Sequence, residues 1–249
     1  MMTHVDAAPY VFEAMGTVVS VTAAGGVPDA ARRDLAAAFE ELEERFSTYR
    51  PGSEASAVAR RELLLRRASP EFRAVYDQAI EWRRLTDGAF TPHRPDGVID
   101  LSGIVKALAI AAAGDVLDAA GAASWCINAG GDVLTSGAQP DGRPWVIGIV
   151  DPDDRTALLS QYAAPTSGRC AVATSGTAER GEHVWRVGAD ATFHQVSVVA
   201  SDIVTADVLA TAILAGGPDA LRRAEDRWPV EVLACATDGR CWATPAFRG

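Results

Sequence analysis

Apolar residues recur at intervals of three and four along several stretches of the chain, which is the spacing of one buried helix face. The clearest stripe consists of Leu35, Phe39, Leu42 and Phe46. The charged residues of the same stretch, Glu43 among them, are interpreted as a solvated face. Ser69 before Pro70 predicts the start of a second helix, and Gly88 is predicted to cap its end. Further helices are predicted over residues 102–120, 206–214 and 218–227.

Short runs of β-branched and aromatic residues predict a second half rich in strands. These strands are expected over residues 125–128, 133–135, 145–150, 171–174 and 195–200. Near the start of the chain, segments 10–12 and 18–22 are expected to be strands on either side of a bend or bulge at Gly16. Near its end, segments 230–236 and 241–244 are expected to form a hairpin around Asp238 and Gly239. Helices and strands mix without strict alternation, so we predict an α/β fold of the mixed α+β kind, in one domain over residues 1–249.

The composition is that of a globular protein, and its charge narrows the range of partners. Apolar residues make up 48% of the chain and charged residues 22%, which excludes a disordered or collagen-like protein. The formal net charge of −10 disfavours nucleic acid and anionic membrane surfaces as partners. Lys106 is the only lysine in the sequence, so any role for a compact, flexible cation falls on this residue.

Location and redox state are predicted from what the sequence lacks. No uncharged apolar run reaches the roughly 18–20 residues that a membrane span needs. No signal peptide is visible ahead of Pro9, so the expected location is the cytoplasm. The cysteines have no metal-type spacing and are interpreted as reduced, mostly buried thiols. They are Cys126, Cys170, Cys235 and Cys241.

A phosphate-binding helix start is one interpretation of residues 100–106. Asp100 and Gly103 stand at the start of a predicted helix, and Lys106 lies one turn inside it. Backbone N–H groups at a helix N-terminus favour anions, and a lysine there adds a point charge for phosphate. The plainer alternative is an aspartate near a helix cap followed by a solvated lysine.

Two further segments carry residues that could bind a metal or move a proton. Asp207 and Thr211 project from one face of a predicted helix, and hard oxygen ligands at that spacing suit Mg²⁺. Such a pair is also common on ordinary helices. Thr174 ends a predicted strand and is followed nine residues later by His183, which is either a general base or an ordinary surface histidine.

Taken in order, eight segments resemble the FAD:protein FMN transferases, the ApbE-type flavin transferases. The segments are FEAMGT (12–17), FSTYRPGS (46–53), DGAF (87–90), DLSGIVK (100–106), NAGGD (128–132), WVIGIVDP (145–152), ATSG (173–176) and ADVLAT (206–211). The resemblance implies an ApbE-like fold with mixed, largely antiparallel sheets flanked by helices. It also implies Mg²⁺-dependent cleavage of FAD at its pyrophosphate, attachment of FMN to a Thr or Ser of an acceptor protein, and release of AMP.

The resemblance assigns roles to residues by position. The flavin nucleotide is expected to contact residues Met15, Tyr49, Ala89, Phe90, Thr91, Thr174 and Val184. Asp100 would bind the adenosine part of FAD, and Lys106 would lie at the phosphates. The Mg²⁺ ligands would be Asp207, Thr211 and the carbonyl of Gly103.

The acceptor half of the expected site departs from the family pattern. His183 matches the histidine of the family's His-x-x-Asp-Pro-x-Thr-Gly motif, the candidate base for the acceptor hydroxyl. Arg186 stands where that motif has its aspartate, and the Pro, Thr and Gly are missing. Two alternatives therefore stay open beside the transferase: an FAD-binding protein that has lost transfer, and an FAD pyrophosphate hydrolase that gives FMN and AMP.

Overall fold

The computed structural model describes residues 8–176 and 192–247. The helices are α1 (Asp29–Phe46), α2 (Glu54–Ala59), α3 (Pro70–Leu85), α4 (Ser102–Ala119) and α5 (Ile203–Arg227). The strands are β1 (Tyr10–Ala14), β2 (Thr17–Ala23), β3 (Trp125–Ala129), β4 (Asp132–Ser136), β5 (Val146–Val150), β6 (Leu158–Ala163), β7 (Arg169–Gly176), β8 (Phe193–Ala200), β9 (Glu231–Ala236) and β10 (Cys241–Ala243). Short 3-10 turns span Leu65–Arg67 and Pro245–Phe247.

Within the described ranges, eight strands form one antiparallel sheet in the order β1-β2-β3-β4-β7-β8-β9-β10. Apolar residues of α1, α4 and α5 cover one face of this sheet. The β5–β6 hairpin covers part of the opposite face, where Ile147 and Ile149 pack against Val172 and Leu233. The fold is therefore mixed, with antiparallel sheets flanked by helices, as expected.

A separate apolar cluster joins the helices to one another beyond the sheet. Phe46 at the end of α1 stacks on Phe72 of α3 at a ring distance of 5.3 Å, and both are buried. Phe90, Ile104 of α4 and Val208 of α5 belong to the same cluster. This packing places the ends of α1, α4 and α5 close together, which is where the candidate site lies.

Both ends of α3 have well-defined caps, and both predicted residues contribute to them. The Ser69 hydroxyl accepts the N–H of Phe72, so the predicted N-cap is confirmed. At the C-terminus, the predicted Gly88 does contribute a cap, because its φ is 85° and its N–H donates to the carbonyl of Arg83 at 2.8 Å, but Asp87 precedes it in the left-handed region with φ of 53°. The Asp87 carboxylate lies 3.3 Å from Arg223 and 3.2 Å from Arg227 at the end of α5, and these contacts accompany the strained backbone.

Two elements were not predicted, and one helix boundary was wrong. Helix α2 has six residues, too few to show a periodic stripe, and its start is fixed by the Ser53 hydroxyl accepting the N–H of Ser56. Within the part of the chain that the structure describes, strand β6 pairs only with β5, and it mixes polar and apolar residues on both faces. Helix α5 begins at Ile203, three residues before the predicted start, because Asp202 caps it. The predicted break is present, since Gly217 has non-helical backbone angles inside α5.

Helix α5 is strongly apolar, and most of it is buried in the core. Of the helices in residues 8–176 and 192–247, α5 is long and apolar enough to cross a membrane, but 61% of its most apolar window is buried. It packs on β7 and β8, as a core helix does.

The four cysteines are free thiols. Cys170 and Cys235 are buried, Cys126 is half-buried and Cys241 on the edge strand β10 is exposed, so the thiols are less buried than the prediction of mostly buried thiols expected.

Candidate active site

A cavity of about 720 Å³ opens where two hairpin turns meet two helices. Its walls are the β1–β2 turn, the last turn of α1 with residues 47–49, the first turns of α4, and Gly130 with Gly131 between β3 and β4. Val150 and Arg155 of the β5–β6 hairpin line another side. Every wall comes from a turn or a helix end, so the site depends on the tertiary arrangement of segments far apart in sequence.

The β1–β2 turn is held in place by a glutamate of α1. Met15 and Gly16 both have positive φ, 51° and 71°, so the predicted bend is a tight two-residue hairpin turn. The N–H of Met15 donates to Glu43 Oε2 at 3.0 Å, and that oxygen also lies 3.3 Å from Arg50. The interpretation of Glu43 as part of a solvated face is therefore wrong. Its side chain is only 22% exposed because the turn folds back over α1.

Hydroxyl groups fix the loop that carries Tyr49. The Ser53 hydroxyl donates to the carbonyl of Ser47, and the Ser56 hydroxyl donates to the carbonyl of Thr48 at 3.1 Å. These bonds hold residues 47–49 at the cavity. The Tyr49 side chain is 78% exposed there, so its ring is accessible to a planar ligand.

Lys106 enters the cavity as half of an ion pair with Asp132. The pair is nearly dry, since the lysine side chain is 14% exposed and the aspartate 1%. The other oxygen of Asp132 accepts the N–H of Thr174 at 3.0 Å, which ties the pair to β7. Thr174 itself bonds to the Ser197 hydroxyl at 2.8 Å, and it is not among the residues that line the large cavity.

A second, small cavity of about 20 Å³ collects other residues that the sequence singled out. It is lined by Ala89, Phe90, Thr91, Asp100, Ser102, Gly103, Thr211 and Ala215. Asp100 is buried, and its Oδ1 accepts the N–H of Ser102 at 2.9 Å. The part of the plainer alternative that concerns Asp100 is thus borne out, and Asp100 also faces the small cavity. Its other part is wrong, because Lys106 is not solvated but paired with Asp132.

The expected metal ligands fit a hard cation by their chemistry. Gly103 and Thr211 line the same small cavity, and Asp207 lies one turn before Thr211 on α5 and is fully buried. The Ser175 hydroxyl lies 3.2 Å from the Thr211 hydroxyl. A buried carboxylate, a hydroxyl and a carbonyl suit Mg²⁺, which keeps few protein ligands. The described residues contain no cluster of three or more His, Cys, Asp or Glu side chains, as a zinc-type site would require.

Beside the small cavity, the surroundings of a histidine lower its pKa. The Thr91 hydroxyl accepts the N–H of His93, whose ring lies 3.2 Å from the Tyr76 hydroxyl. Burial lowers the pKa of His93 from its ordinary 6.5 and raises the pKa of Tyr76, because each charged form loses solvation. Neither group lines the large cavity.

Some expectations fall outside the described residues, and some functional residues were not predicted. The expected base His183 and the expected contact Val184 lie outside residues 8–176 and 192–247. Glu43, Asp132 and Arg155 were given no role at the cavity from the sequence. Asp132 was within a recognised segment, but nothing in the sequence pointed to its pairing with Lys106.

Comparison with known proteins settles the family. The ApbE family model matches residues 15–94 and 91–234. This chain belongs to the ApbE family. ApbE enzymes use FAD as a substrate, typically with a divalent metal, and flavinylate acceptor proteins. No curated protein matched the chain.

Solved ApbE structures share the fold over nearly the whole chain. The flavin transferase ApbE from Vibrio cholerae is 23% identical, with a TM-score of 0.76, and the match covers 96% of this chain and 97% of that one. The ApbE protein from Thermotoga maritima is 21% identical, with a TM-score of 0.77 and the same coverage. The apo form of the flavinyl transferase ApbE from Pseudomonas stutzeri is 22% identical, with a TM-score of 0.76, and the match covers 96% and 94%. The ApbE-like fold expected from the sequence is confirmed.

Proposed function

We propose that this ApbE-family chain is a cytoplasmic, Mg²⁺-dependent FAD:protein FMN transferase. It would cleave FAD at the pyrophosphate, attach FMN to a Thr or Ser hydroxyl of an acceptor protein and release AMP. The observation that carries the proposal is the wall shared by the two cavities. Ser102 lines both of them, with Lys106 on the large side and Gly103 on the small side.

This shared wall suits a pyrophosphate beside a metal ion. The N-terminus of α4 carries a partial positive charge that favours an anion beside it, and Asp100 already accepts one of its N–H groups, that of Ser102. The large cavity, with Tyr49 exposed beside it, offers room and an aromatic face for a flavin. The small cavity, of about 20 Å³, has room for an ion or a water molecule and not for the adenosine arm, so it suits the metal.

Each charged side chain has a distinct task in this proposal. Asp132 would orient Lys106 towards the phosphates, and Asp207, Thr211 and the Gly103 carbonyl would hold the metal. Mg²⁺ bound there would neutralise negative charge on the phosphates. His183 would take the proton of the acceptor hydroxyl, an assignment that rests on the sequence alone.

The experiment measures AMP release from FAD with Mg²⁺, with and without an acceptor that carries a flavinylation-type threonine, while the acceptor is weighed by mass spectrometry. AMP together with an FMN-sized mass gain supports the transferase. AMP and free FMN without acceptor would instead favour the hydrolase. Saturable FAD binding with neither product would show that transfer has been lost, as the Arg186 substitution in the family motif suggests.

Two variants on α5 test the metal ligands with a matched control. Asp207→Asn and Thr211→Ala should abolish Mg²⁺-dependent AMP release, whereas Asp219→Asn on the same helix should not, because Asp219 is 69% exposed. His183→Ala should abolish transfer while FAD binding survives. Full transfer by His183→Ala would remove the histidine from the mechanism.

A further inference from the structure

The C-terminal hairpin brings two thiols face to face. In the register of β9 and β10, Cys241 lies directly opposite Cys235, and their sulfur atoms are 3.1 Å apart. The N–H of Ala236 bonds to the carbonyl of Arg240, and the N–H of Thr244 bonds to the carbonyl of Val232. Hydrogen-bonded and non-hydrogen-bonded pairs alternate along antiparallel strands, so the cysteines form a non-hydrogen-bonded pair.

That position has the spacing a disulfide requires. Opposed Cα atoms of a non-hydrogen-bonded pair are about 4.5 Å apart, and a disulfide spans Cα distances of about 4.4–6.8 Å. The other two cysteines do not meet this condition. Cys126 and Cys170 both pair with Thr135, from opposite sides of β4. They are therefore two strand spacings apart, about 9–10 Å, which is too far for a bond.

The two thiols of the hairpin differ in accessibility. Cys241 is exposed on the edge strand, and Cys235 is buried. Burial raises the pKa of the Cys235 thiol, and its hydrogen bond with Cys241 and the nearby Asp151 and Asp153 add to the rise. A reagent in solution therefore meets Cys241 first, and Cys235 is placed to resolve the product.

We propose that Cys235 and Cys241 are an oxidation site that forms a cross-strand disulfide with a low-molecular-weight disulfide as oxidant. The Cys241 thiolate attacks the reagent, whose S–S bond breaks and releases one thiol. Cys235 then loses its proton and attacks the Cys241 sulfur, which releases the second thiol. Two cysteine thiols are oxidised and one reagent disulfide is reduced to two thiols.

The crosslink would fasten an edge of the main sheet. Among the strands that the structure describes, β10 pairs with β9 and lies at the edge of the main sheet. Its Trp242 packs edge-on against Phe193, the first residue of β8, at a ring distance of 5.3 Å. A covalent bond between β9 and β10 also holds these two segments together in the unfolded chain. Because it reduces the conformational freedom of the unfolded state, it should stabilise the folded state. This inference does not depend on the transferase proposal.

The test treats the full chain with glutathione disulfide, blocks remaining thiols after denaturation and maps the peptides by mass spectrometry. We expect a Cys235–Cys241 linkage with two hydrogen atoms lost, and alkylated Cys126 and Cys170. In Cys235→Ser the reaction should stop at a glutathione adduct on Cys241. In Cys241→Ser neither product should form, and Cys126→Ser should behave as the wild type.

Stability provides the second measurement. The oxidised wild type should unfold at a higher urea concentration than the reduced form, and the same treatment should not raise the midpoint of Cys241→Ser. The proposal is overturned if the wild type keeps both thiols or accumulates a glutathione adduct on Cys241. The proposal is also overturned if the wild type links other cysteines, or if its urea midpoint does not rise when the Cys235–Cys241 linkage forms.

Discussion

Replacing Asp132 with asparagine tests the buried pair at the centre of the site. The asparagine side chain would keep an oxygen for the N–H of Thr174 but would remove the charge that faces Lys106. Because Asp132 is 1% exposed, water cannot take its place, although Lys106 retains some contact with the cavity. Removing one partner of a fully buried pair costs about 3–5 kcal/mol, and a hydrogen bond to a charged group contributes about 1.5–3 kcal/mol. For this partly hydrated lysine we expect a loss of about 2–3 kcal/mol in unfolding free energy.

The assay is urea unfolding followed by tryptophan fluorescence, with Asp141→Asn as the matched control. Asp141 also pairs with a cation, Arg143, but the two side chains are 45% and 76% exposed, so this change should cost much less than the change at Asp132. The double variant Asp132→Asn/Lys106→Met should recover part of the loss, because it removes the uncompensated charge. Equal losses for Asp132→Asn and Asp141→Asn would refute the reasoning.

Three further perturbations probe the turns and the histidine. Gly130→Ala should destabilise the protein more than Gly131→Ala in urea unfolding. Both glycines have positive φ, but only at Gly130 would the added Cβ collide with the side chain of the first residue of β2. Equal losses of unfolding free energy for the two variants would contradict this. Glu43→Ala should weaken FAD binding by titration more than Glu44→Ala, because only Glu43 accepts the N–H of the β1–β2 turn, and matching affinities would remove that role. Burial lowers the pKa of His93, so the unfolded state binds more protons than the folded state as the pH falls below 6.5. The contribution of His93 to stability should therefore be fully present above pH 6.5 and decrease below it. Over the same pH range, the urea midpoint of His93→Gln should fall less than that of the wild type.

Local sequence signals were sufficient for most elements of this fold. The stripe of α1, the Ser69 cap and both terminal hairpins depend on neighbours within a few residues, so their patterns could be seen without the tertiary structure. The order of strands in the sheet could not be predicted in this way, because β2–β3 and β4–β7 are pairings between distant segments. Such pairings depend on how the helices pack on the sheet, which no short window of sequence contains.

Residue patterns singled out Lys106, Asp207 and Thr211, whereas Met15 and Tyr49 were named only through the resemblance. Met15, Tyr49 and Lys106 were named from the sequence and line one cavity. Glu43 was misread because the periodicity of a helix shows which face is polar, and not which neighbour will cover that face. The partner of Lys106 was missed for a related reason. Asp132 begins β4, and its proximity to α4 is created by the packing of that helix on the sheet.

The charges of the described residues explain why an acidic chain would need a metal to bind an anionic substrate. Among the described residues that line the large cavity, Lys106 faces Asp132 and Glu43 faces Arg50. Arg155 of the β5–β6 hairpin also lines the cavity and is exposed. On the proposed function, the lysine would orient a phosphate more than it would neutralise one, since its charge is already balanced by Asp132. In a chain of net charge −10, much of the remaining attraction would then have to come from the N-terminus of α4 and from the proposed cation near Asp207.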